Sequence, residues 1–179
     1  MKYQEVISFW FEEIKPKQIW IKDPEFDQLI IDRFSDVYEK ATRCELYGWR
    51  ESPEGRLAEI IVLDQFSRNM FRESSKSFAF DSLSLSLAQQ AVSLGADKYI
   101  EKARRNFMYL PYMHSESREI HKEALKIYQG YGVQGSLDFE IKHKKIIDRF
   151  GRYPHRNTVL GRVSTDEEIE FLKQPNSRF

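Results

Sequence analysis

The chain has 179 residues, with 28 Lys plus Arg against 28 Asp plus Glu, so its formal charge is zero. That balance disfavours a uniformly basic nucleic-acid binder and an acidic disordered tail. The 41% hydrophobic and 14% aromatic content is too rich for disorder, and 31% charged residues is too many for a membrane protein. The length suits one compact domain, residues 1–179, with no linker-like segment to divide it.

The N-terminal apolar run Val6 to Phe11 is short and is followed at once by Glu12 and Glu13, so it reads as the buried face of a first helix, about Lys2 to Ile14. No stretch approaches the roughly 20 apolar residues of a membrane span. A second helix opens at Pro24 behind Asp23 as cap and is expected to end near Tyr47-Gly48. Cys44 is the one cysteine, which rules out an internal disulfide and cysteine-rich zinc modules and favours a cytoplasmic location. The third helix has Ser52 as cap, Pro53 at its first position and a dense apolar run from Leu57 to Phe71.

Leu83 to Leu87 alternates like a strand, but Ala88 to Val92 continues it with helix formers and Gly95 supplies a stop, so helix is expected. A helix over about Glu101 to Leu110 is expected to break at Pro111. Helices at about Glu116 to Tyr128 and Leu137 to Phe150 follow. After a loop over Gly151 to Val163, Ser164 with Glu167 forms a capping-box pattern for a last short helix. Ile30 to Phe34 recurs identically as Ile146 to Phe150, and Val62 to Phe66 is a near copy, a faint sign of stacked helical hairpins.

Three places break the helical pattern. Asp64 and Arg68 lie four apart on the face that carries Leu57 and Ile61, where burial of each charge demands a partner. They read either as a structural ion pair or as part of a ligand cleft. His143 shares a stripe with Ile146, Ile147 and Phe150, and the segment runs on through Arg149, Arg152, His155, Arg156 and Asn157. Lys142 to Arg162 holds seven Lys or Arg against the single acid Asp148. Loop arginines suit a carboxylate or phosphate, because the guanidinium fork donates two parallel hydrogen bonds. Third, His114, Ser115 and Glu116 crowd the break after Pro111, where Ser115 reads as a helix cap and His114 with Glu116 as an acid/base pair. The histidines match no metal-ligand spacing, so neither a metal nor a cofactor is expected.

Leu57 to Glu59, Leu63 to Arg72, Tyr109 to Pro111 with His114 to Glu116, Arg149 to Asn157, Leu160 to Arg162 and Ser164-Thr165 together resemble the domain of unknown function 924 family, whose members are mostly bacterial. Ser67 stands where that family usually has proline, and Asp166 where proline commonly follows the Ser-Thr pair. The resemblance implies an all-α fold of packed antiparallel helix pairs, a tetratricopeptide-like superhelical array. It implies no activity, so the site assignments rest on the residues.

The leading expectation is an anionic small molecule held by Asp64, Arg68, Arg149, Arg152, Arg156 and Asn157, with His114, Glu116, His143 and His155 available for acid/base catalysis. Alternatives are a helical-repeat module that binds a peptide or partner protein in its groove, and RNA binding through residues 142–162, which the absence of an RNA-binding signature disfavours. No membrane partner is expected.

Overall fold

The computed structural model describes residues 1–175 and 177, and among them every regular element is helical. By internal packing they fall into two compact units, Met1–Arg72 with Lys76–Pro111, and Glu73–Ser75 with the chain from Tyr112 onward.

The first unit is built on an aromatic core. Helix α1 (Tyr3–Ser8) passes into a π turn, Phe9–Glu13, that delivers Phe9 and Trp10 to the interior. There Phe9 meets Phe34 at 4.7 Å between ring centroids and Trp10 meets Phe66 at 5.5 Å. Helix α2 (Pro24–Thr42) starts as the sequence predicts, with Asp23 accepting hydrogen bonds from the N–H groups of Glu25 and Phe26. It ends before the expected Tyr47-Gly48, because Cys44 adopts φ 58°, which an α-helix does not tolerate.

Helix α3 (Pro53–Ile61) has the predicted Ser52 cap, then opens into a second π turn at Val62–Phe66 before α4 (Ser67–Met70). One extra residue per turn lets nearly all of the apolar run from Leu57 to Phe66 be buried. Helix α5 (Asp81–Ser93) confirms helix over strand for the alternating leucines, and Gly95, at φ 69°, follows it.

Helix α6 (Lys102–Met113) does not break at Pro111 as the sequence predicts; it contains it. The missing N–H of the proline takes one hydrogen bond from the last turn, and burial of Leu110, Tyr112 and Met113 outweighs that loss. The second unit begins just after this proline. Its helices α7 (Arg118–Tyr131) and α8 (Gln134–Phe150), joined by Gly132 and Val133, pack on each other as an antiparallel hairpin.

The α7 cap is Ser117 and not Ser115, whose hydroxyl accepts the Ser117 N–H instead. The final capping box is also displaced by one residue. Thr165 and Glu168 form it, reciprocally, at the start of α9 (Asp166–Leu172), leaving Ser164 to bind Asn157.

Candidate functional site

In the first unit the Asp64 and Arg68 pair forms as the spacing requires, and it closes on itself. Asp64 is 1% exposed; its carboxylate accepts from Gln65 Nε2 and pairs with the Arg68 guanidinium at 3.2 Å, which also donates to the Asp64 backbone carbonyl at 2.6 Å. The other end of Arg68 reaches Asp81 Oδ2 at 3.0 Å. This acid–base–acid chain ties the π turn to the start of α5. Two further networks, which the sequence reading missed, repeat the device: Arg50 forks onto the fully buried Glu59 at 2.7 and 2.6 Å, and Arg72 forks onto Asp27 at 2.6 and 2.7 Å with Asn69 beside it. A cleft of about 610 Å³ also lies in this unit, bordered by Arg33, Asp36, Lys40, Glu45 and Trp49 among others, and none of the predicted site residues lines it.

The second unit gathers the rest around Tyr153. This residue follows Gly151, which caps α8 at φ 70°, and precedes Pro154; the two together fold the chain back so that the phenol is 1% exposed. Its hydroxyl donates to the Met113 carbonyl and lies 3.2 Å from His121 Nε2. The rings of His121, His143 and His155 stand 6.3, 5.8 and 5.6 Å from its own. The Arg156 guanidinium lies 4.6 Å over its face and donates to the His114 carbonyl at 3.0 Å.

All four histidines of the chain therefore cluster here. Burial pushes His143 down to about 3, against a hydrogen bond to the Phe139 carbonyl, and the neighbouring imidazoles of His114, His121 and His155 lower it further. That carbonyl can only accept, so Nδ1 carries the His143 proton.

The carboxylates and loop arginines bind one another. Glu116 accepts the Tyr153 N–H at 2.7 Å and the forked Arg162 guanidinium at 2.5 and 2.9 Å. Burial alone would raise the Glu116 carboxyl, but these bonds and the nearby Arg156 charge outweigh it and hold the group below the usual range. Glu116 is thus an anchored carboxylate bonded to Arg162 and Tyr153, where the sequence pattern had suggested pairing with His114.

Arg152 forks onto Glu168 at 2.7 Å through both nitrogens, Asn157 Nδ2 adds a third donor at 3.2 Å, and the Glu168 carboxyl is held down to about 2, chiefly by Arg152. Arg149 binds Glu167 at 2.8 Å and stacks on Phe150. Both arginines are engaged by α9. Among the described residues no group of three or more His, Cys, Asp or Glu could hold a metal ion.

The site residues expected from the sequence did not include Tyr153, His121, Glu140, Arg162 or Glu168. Two of these had a readable signal. His121 lies three, seven and ten residues before Ala124, Tyr128 and Tyr131 on the buried stripe of α7, and Glu140 sits three before His143 on that of α8.

The sequence pattern of a family described as bacterial protein of unknown function (DUF924) matches residues 6–176. The chain belongs to this family. A protein of unknown function from Agrobacterium tumefaciens has a solved structure that superposes with a TM-score of 0.90 at 37% identity, over 96% of each chain. The fold of this chain is thus shared with that protein over nearly the whole length of both. No curated protein matches the chain. No helix among the described residues is long and apolar enough to cross a membrane.

Proposed function

We propose that the second unit binds an anionic small molecule bearing a phosphate or carboxylate group at the Tyr153 cluster, where His114, His155 and Arg156 meet it. The observation that carries this reading is the convergence of three histidine rings, His121, His143 and His155, on one tyrosine that also carries a stacked arginine, with His114 close enough for its field to reach His143. Arg156 supplies a planar, permanently charged donor. His114 and His155, both partly exposed, supply imidazole rings placed to exchange a proton with a bound substrate.

In this reading Arg149, Arg152 and Asn157 frame the site through α9 and do not grip the ligand. Asp64 and Arg68 serve the packing of the first unit. His143, held neutral, is a wall of the site, and Glu116 fixes the Tyr153 backbone. RNA binding is less well supported, because arginines of residues 142–162 that would meet phosphates are bonded to Glu116, Glu167 and Glu168. The α7–α8 hairpin is compatible with stacked helix pairs of tetratricopeptide type, and the single cysteine with a cytoplasmic location.

Calorimetric titration with inorganic phosphate and with citrate tests the proposal. At a hundredfold excess over Kd, the wild-type chain is stabilised by about 2.7 kcal/mol. Arg156→Gln and His155→Gln should each weaken binding at least about tenfold, the loss of one charge-assisted hydrogen bond. Equal binding by wild type and both variants, or no binding of either anion, removes the reading.

A further inference from the structure

Behind the Tyr153 cluster lies a buried pair that the proposed binding does not use. His121 on α7 and Glu140 on α8 are both 0% exposed, with His121 Nδ1 2.7 Å from Glu140 Oε1. His121 Nε2 is 2.9 Å from the Ser115 carbonyl, which can only accept, so Nε2 carries hydrogen. The Tyr153 hydroxyl donates its own proton to the Met113 carbonyl, and toward His121 it acts as a second acceptor.

One proton remains to be placed between Nδ1 and Oε1. The other carboxyl oxygen, Oε2, is buried with no hydrogen-bond partner among the described residues. A carboxylate would leave half its charge on that atom with no donor, which is costly in a dry interior. A carboxylic acid with its hydrogen on Oε1 makes Oε2 a neutral carbonyl and gives Nδ1 the donor it needs.

The charged groups around the pair do not overturn this. Along α8, Lys144 favours the carboxylate and Asp148 the acid; from α7, His121 favours the carboxylate; burial, the largest influence, favours the acid.

We propose that Glu140 and His121 form a neutral pair holding a single proton, donated from Oε1 to Nδ1, and that this pair positions Tyr153 beneath Arg156 and His155. The proton placement stands alone; its effect on ligand affinity rests on the anion-binding reading. Glu140 and His121 are positioning residues, since they act through Tyr153.

The pair also gives folding a pH signature. Near neutrality and above, an unfolded chain has lost the Glu140 proton and, past about pH 6.5, the histidine proton as well. The folded pair keeps one. Folding then takes up a proton, and the unfolding constant rises about tenfold per pH unit above 6.5 until the pair itself ionises.

Nitrogen-detected NMR of the full chain reads the state directly. The expected result is an His121 ring with a protonated Nε2 and an unprotonated Nδ1 from about pH 5.5 to 8. An imidazolium with both nitrogens protonated overturns the proposal.

Glu140→Gln supplies a second readout, because its amide N–H can replace the acid O–H. It should keep the His121 tautomer, stay within about tenfold of the wild-type unfolding constant at pH 6.5, and lose the alkaline dependence. An unchanged alkaline slope in that variant contradicts the assignment. Glu140→Leu, which leaves Nδ1 without a donor, should weaken inorganic phosphate binding at least about tenfold while Glu140→Gln stays within about threefold; equal phosphate affinity in all three proteins refutes the positioning role. If phosphate binds none of them but the neutral pair is seen, the anion reading fails and the proton placement holds.

Discussion

At the scale of single residues, charges on apolar faces are the most informative feature of this chain. Asp64 shows why: its carboxylate is buried, and its guanidinium partner is shared with Asp81. Asp64→Ala leaves Arg68 without its inner anion and should destabilise the first unit by about 3–5 kcal/mol in urea unfolding. His143 gives the opposite sign of linkage to the Glu140 pair. Its folded value near 3 lies below the ordinary 6.5, so the unfolded chain binds the extra proton between those limits. The stability it supports is complete above pH 6.5 and drains away as pH falls toward 3. His143→Gln should flatten that acid arm, whereas Glu168, held near 2, contributes a separate loss only below about pH 4.5. Urea titrations at stepped pH check both, and an acid arm unchanged in His143→Gln would contradict the burial of a neutral imidazole.

At the scale of elements, two glycines make a controlled comparison. Gly55, in the first turn of α3, lies so close to the preceding 3-10 turn that a Cβ would stand 2.0 Å from the Trp49 carbonyl oxygen. Backbone must move to admit it, so Gly55→Ala should cost about 2 kcal/mol or more. Gly130 lies inside α7, where an added Cβ would meet nothing within 4 Å, and Gly130→Ala should stabilise by up to about 1 kcal/mol. Chemical unfolding of the two variants reads this directly, and a loss on Gly130→Ala would contradict the open surface there.

Most helices were legible from caps and stripes: Asp23, Ser52 and Gly95 mark boundaries where the structure places them. The misses have local causes. Burial carried α6 through Pro111, and the left-handed Cys44 stopped α2 early. The repeated Ile-Ile-Asp-Arg-Phe segment buries Ile30 and Phe34 in its first copy but Ile146 and Ile147 in its second, so identical letters meet different surroundings. The π turns left no sequence mark, because a widened turn is chosen by what the side chains meet after packing.

At the scale of the whole molecule, the zero net charge conceals a basic segment, residues 142–162, that the structure largely neutralises within itself and against α9. Lys144 meets Asp148, Arg149 meets Glu167, Arg152 meets Glu168 and Arg162 meets Glu116. The cations were visible in the sequence; their acids lie 4 to 46 residues away, and only folding discloses which cation each acid engages. Within this segment lies the Tyr153 cluster, with Arg156 over the tyrosine ring and the histidines around it, the place proposed for the anion. Titrating the uniformly labelled chain with inorganic phosphate and following the histidine ring and Arg156 side-chain resonances measures this most directly. Saturable shifts at His114, His155 and Arg156, absent in Arg156→Gln, are the predicted result. Shifts confined to the Arg33, Lys40 and Trp49 cleft, or no saturable shift anywhere, would contradict it.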